Sequence, residues 1–156
     1  MAATPTWREQ HDRMKRWRTR LREGTGVEDQ RLDDFYAFFT ACFHLKDWLK
    51  CDTSLPEHVR ADVETYISAT FWLKLCADLA NGSKHLELST ARVDPKARVA
   101  RQGPAFQPGM VQANAFQTKP IVTVEADGKA WAALTVANHC VEAWESFLQS
   151  KGLLST

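Results

Sequence analysis

The run Phe35-Tyr36-Ala37-Phe38-Phe39-Thr40-Ala41-Cys42-Phe43-His44-Leu45 constrains this chain more than any other stretch. Wound as a helix, it is apolar nearly all round, so other elements must cover it on most sides. The acids Glu28, Asp29, Asp33 and Asp34 ahead of it suit a helix N-terminus. A helix is therefore expected from about Glu28 to Lys50. Residues 31–49 are its most buried part, with Phe35, Phe39, Cys42, Leu45 and Leu49 in the core. A chain of 156 residues, 44% hydrophobic and 25% charged, is a single ordinary domain over 1–156. At that length roughly 70% of the unfolded surface can be buried, enough to fold without metal or disulfide.

Around this helix the pattern supplies the rest of a bundle. Thr4 or Thr6 caps a basic amphipathic helix over about 5–22 within residues 1–24, with Pro5 in its opening turn and Gly24 to Gly26 ending it. Trp7, Met14 and Leu21 recur every seven residues as its apolar seam, with Trp17 on the same side. Residues 1–22 carry a charge of +5 within a chain of net charge +1. Ser54, Pro56 and Glu57 start a third helix that runs to Leu79–His85, completing a central helical region over 28–85. Residues 87–134 change character. Five Pro and Gly residues between 95 and 109 mark a long excursion with at most short strands. Two strand-like runs about Asp127-Gly128 then form a hairpin pairing 120–125 with 130–134. A last helix over 135–150 turns Val136, Cys140, Val141, Trp144, Phe147 and Leu148 inward. The fold class is mainly α: an up-and-down bundle of about four helices with a β-hairpin before the last.

Several function classes drop out. No apolar run approaches the ~20 residues of a membrane span. The N-terminus lacks the apolar core of a signal peptide, and acids interrupt what would be a transit peptide, so a cytoplasmic protein is expected. Cys42, Cys51, Cys76 and Cys140 form no Cys-x-x-Cys pair and read as buried small hydrophobes. Ligand spacings at His44/Asp47, or among His44, His85 and His139, match no metal pattern, and no cofactor is expected.

The candidate site is polar. On a helix, Lys74, Asp78, Asn81 and His85 fall within about 60° of arc, and so do Asp33, Thr40, His44 and Asp47. The plain alternatives are a core imidazole for His44, helix capping for Asp78 and Asn81, and a solvated Lys84. Antiparallel packing of the second and third helices would leave His44 and Asp47 at the opposite end from Asp78–His85. Arg92, Lys96, Arg98 and Arg101 crowd the following loop, which suits a phosphate backbone, or else acids elsewhere in the chain.

The run Ala80-Asn81-Gly82-Ser83-Lys84-His85 resembles the signature of the higher eukaryote and prokaryote nucleotide-binding (HEPN) superfamily, which reads arginine, polar residue, three variable residues, histidine. Asn81 and His85 match, while Ala80 stands where the family has arginine. The resemblance covers six residues in motif, and the helices of 28–85 and 135–150 in architecture. It implies a helical module that pairs as a homodimer and binds RNA or a nucleotide, or a protein partner. It also implies, as an alternative, a metal-independent endoribonuclease with His85 as acid or base and Asn81 holding it or the phosphate; with no arginine at position 80, the cation would have to be Lys84, Lys74 or an arginine of the loop. Transfer of an RNA phosphate to a 2′-hydroxyl needs a base and a cation on the developing charge. Lysine lacks the bidentate fork of the missing arginine.

Overall fold

The computed structural model describes residues 4–24, 28–85, 88–102 and 121–155. Gly26 and the Pro/Gly-rich part of the excursion, 103–118, lie outside the described residues. So do the side chains of Glu28 and Asp29.

Five helices and three strands follow in the order α1 (Trp7–Glu23), α2 (Glu28–Cys51), α3 (Glu57–Ala69), α4 (Phe71–Gly82), β1 (Arg98–Gln102), β2 (Ile121–Ala126), β3 (Lys129–Ala132) and α5 (Ala133–Ser150). Helix α2 is the hub. Phe35, Phe39, Cys42, Leu45 and Leu49 are all buried, as is Phe38, so the apolar run does occupy the centre. Helix α1 lays Trp7, Met14 and Leu21 into the core. Two polar ties fix it on α2: the buried Gln10 amide donates to the Ala41 carbonyl at 2.7 Å, and Arg20 Nε meets Asp34 at 2.8 Å. Gly24, at φ 64°, caps α1 by donating its N–H to the Arg20 carbonyl.

The third helix of the sequence reading is in fact two. Thr70 is extended (φ −110°, ψ 111°) and closes α3 while opening α4. Its hydroxyl donates back to the Tyr66 carbonyl at 2.8 Å, a local bond that competes with helix continuation. Apolar spacing runs on across the break, which is why periodicity hides it. Phe71 nevertheless emerges 40% exposed. Helix α4 then packs chiefly on α2, and α5 covers α4 and α2 with all six expected inner residues buried.

The hairpin lies where Asp127-Gly128 places it. Ala126 pairs with Lys129 and Thr123 with Ala132. Asp127 (φ 50°) and Gly128 (φ 69°) both take the positive φ of a tight primed turn. A third strand enlarges it: β1 pairs antiparallel with β2, Arg98 opposite Glu125 and Gln102 opposite Ile121. Ala97 and Val99 are buried while Arg98 is exposed, an alternation too short and too basic to announce a strand. Among the described residues no helix is long and apolar enough to cross a membrane.

Candidate nucleic-acid interface

Asp78 is a structural anchor. It lies on α4 at 1% exposure. Its two oxygens accept three consecutive backbone amides, from Arg92 (2.8 Å), Val93 (2.6 Å) and Asp94 (3.0 Å). Successive N–H groups converging on one carboxyl group satisfy a buried polar side chain and give it a structural role. Asp94 passes the restraint on, accepting from the backbone N–H of Lys96 (2.8 Å) and of Asp127 (2.7 Å) at the hairpin tip. These bonds hold the Asp94 carboxyl below its ordinary range. The two aspartates thus tie α4 to the loop, and the loop to the sheet.

The expectation that His44 and the end of α4 lie far apart is overturned by the break at Thr70. Half-buried His44 is lowered from the usual 6.5, first by burial and then by the positive charge of Lys84, with Asp47 opposing. A helix unbroken from 56 to 85 would have carried Lys84 away. Lys84 and His85 are exposed on the turn that follows α4, and their backbone N–H groups both donate to the Asn81 carbonyl (3.0 and 3.2 Å). Asn81 itself is half-buried. Ala80 is 2% exposed, so the position where the HEPN signature has arginine points into the core.

Beside His44 lies a cluster that sequence reasoning missed. Glu64 on α3 receives Lys46 (3.4 Å), Lys50 (2.9 Å) and Arg92 (3.5 Å). The Lys50 ammonium hydrogen-bonded to Glu64 holds that carboxyl below its ordinary range, against the opposing effect of burial. The Phe43 ring lies within cation–π reach of both Lys46, 4.8 Å from its centroid, and Arg92, at 5.9 Å. Lys46 also meets Asp47 at 3.3 Å. With Lys84, four cations stand against Asp47 and Glu64, a local surplus of two positive charges. The signal in the sequence was Lys46 and Lys50 one turn apart on the polar flank of α2, with Glu64 facing them from the next helix.

The basic loop divides. Arg92 joins the α2–α3 cluster. Arg98 is held by Glu125 (Nη2 at 2.7 Å), and with Lys96 it lines a shallow groove of about 460 Å³ along the hairpin. Arg101 is exposed and engaged in a contact of its own. Asp78 is thus buried against the loop backbone, Arg92 turns to Glu64, and Lys96 and Arg98 lie along the hairpin, so these residues do not share one cleft. The expected reading of all four cysteines as buried is corrected for Cys51, which is exposed, while Cys42, Cys76 and Cys140 are buried. Among the described residues no cluster of three ligating side chains contains a histidine, and His139 instead stacks on Trp72 at 4.5 Å.

The arrangement is a helical domain with a small antiparallel sheet and one cationic, aromatic-centred face. Compared with protein-family models, curated proteins and solved structures, the chain returns no match.

Proposed function

We propose that this chain is a HEPN-like, non-enzymatic module that binds single-stranded RNA as a homodimer, through the face formed by Phe43, His44, Lys46, Lys50, Lys84 and Arg92. The observation that carries the reading is the convergence on Glu64 and His44 of four cations drawn from α2, the turn after α4 and the loop beyond. Such a surface neutralises phosphates, and Phe43 offers a ring against which a base can stack. The depressed His44 fits as well, since an arriving phosphate favours its protonated form. Buried Ala80 supports binding without cleavage, because a guanidinium at that position would have to displace core side chains. Self-association is supported by the exposed Phe71, which packs edge-on against Trp72 at 5.0 Å while Trp131 lies 5.9 Å away.

A second reading, favoured by the exposed imidazole of His85 beside Lys84, is slow metal-independent cleavage of RNA at a site shared between two copies. Anisotropy titration of a labelled oligoribonucleotide at several salt concentrations separates the possibilities. Affinity should fall as salt rises, by about 0.7 log units per phosphate contact for each decade. Arg92→Glu and Lys84→Glu should weaken binding and flatten that slope. Reversal at ion-paired Arg98 should do less. His85→Ala should weaken binding without changing the integrity of the RNA. Affinity unmeasurable at low salt, or untouched by the Arg92 and Lys84 reversals, would leave a protein-interaction module. RNA cleaved by the parent chain but not by His85→Ala would establish the nuclease.

A further inference from the structure

Three thiols meet in the core. Cys42 from α2, Cys76 from α4 and Cys140 from α5 lie far apart in sequence, yet their sulfur atoms are all within 4.8 Å of one another, and each residue is at most 1% exposed. Two of the thiols donate to helix carbonyls, Cys76 to Phe39 and Cys140 to Trp72, each at 3.4 Å. The Trp144 indole N–H reaches the Cys42 carbonyl at 3.1 Å and closes the wall beside the trio. Metal–sulfur bonds of about 2.3 Å in a trigonal arrangement put sulfurs about 4 Å apart, so the trio can close on a central atom by side-chain adjustment alone.

The surroundings select the ion. Among the described residues no His, Asp or Glu joins the three sulfurs as a fourth ligand, which disfavours tetrahedral zinc. Charge decides among the rest. Three thiolates on a monovalent ion leave two negative charges, and on a divalent ion one, in a core where an uncompensated charge costs several kcal/mol. On a trivalent ion they leave none. We propose that Cys42, Cys76 and Cys140 form a three-sulfur site for a trivalent thiophilic metalloid of the arsenite class. The exchange balances without redox change: As(OH)3 and three thiols give As(SR)3 and three waters. Three As–O and three S–H bonds break, while three As–S bonds and three O–H bonds form. Arsenous acid is uncharged near neutrality, so it can enter during local opening of the helices without stripping an ion of its hydration.

The test uses the full reduced chain and sodium arsenite under anaerobic conditions. Native mass spectrometry should show one arsenic gained and three hydrogens lost per chain, and the thermal midpoint should rise, because the ligand binds the folded state. Cys51→Ser should behave like the parent. Cys140→Ala should bind ~100-fold more weakly or worse, since even the partners behind metal ligands are worth 10–100-fold. The unmutated chain gives an independent arm if that variant fails to fold: arsenite should displace cadmium at equal concentration. A product that involves Cys51, a lowered midpoint or cadmium outcompeting arsenite would overturn the proposal.

Discussion

Replacing Asp78 isolates the device that positions the cationic face. Its carboxylate accepts the backbone N–H groups of Arg92, Val93 and Asp94. Hydrogen bonds to a charged group contribute about 1.5–3 kcal/mol each, a gross 5–9 kcal/mol for three. The donors sit on a partly exposed loop, so after Asp78→Ala they recover water and about half of that is regained. The expected net loss is ~3–4 kcal/mol. Asp78→Asn should cost less, ~2–3 kcal/mol. One amide oxygen can still serve part of the set, but the side-chain NH2 then faces a backbone donor. Urea denaturation gives the stability change, and amide hydrogen exchange at 92–94 localises it. The Ala variant should also lose RNA affinity nearly as far as Arg92→Glu, because the guanidinium leaves Phe43 and Glu64. A stability loss below about 1 kcal/mol, or unchanged exchange at those three amides, would refute the account of Asp78 as the anchor.

Other consequences can be checked as directly. Phe39→Ala, at a fully buried position on α2, should cost ~3–5 kcal/mol in denaturant titration; a loss under 1 kcal/mol would put that face outside the core. Gly128→Val should destabilise the hairpin by ~1–2 kcal/mol through backbone strain alone, since φ is +69° and nothing lies within 4 Å of an added Cβ. An unchanged melting midpoint would contradict the primed turn. Lys84→Ala should raise the His44 midpoint seen by NMR titration, because it removes a positive charge that lowers it; an unmoved midpoint would separate the two groups. Folded His44 titrates below the ~6.5 of the unfolded chain. The unfolded state therefore takes up more protons as pH falls through 6.5, and this group's share of stability is lost on acidification. Light scattering that returns 17.7 kDa at tens of micromolar would rule out the homodimer.

What the sequence made legible follows from the range of each signal. The central helix, the seam of α1, the Asp127-Gly128 turn and the inner face of α5 rest on local periodicity or turn chemistry, and each is present. The break at Thr70 and the strand at 98–102 were not visible. The first keeps its apolar spacing in phase, and the second gains its meaning only from a partner strand more than 20 residues on. The site suffered most from this. With α4 a separate helix, Lys84 comes close enough to lower His44, and Asp78 is buried against the loop that carries Arg92.

The same break governs how the chain assembles. At 13 and 12 residues, α3 and α4 are too short to persist as isolated helices in water, whereas the 24 residues of α2 are not. Helix α4 is therefore held helical by the surface of α2 on which it packs. Helix α5 packs on α4, α1 and α2 together. The sulfurs of Cys42, Cys76 and Cys140 come from three different helices, so they meet only when α2, α4 and α5 are all docked. The time course over which these three thiols, and not Cys51, become inaccessible to an alkylating reagent during refolding is thus a clock for the joint docking of those three helices.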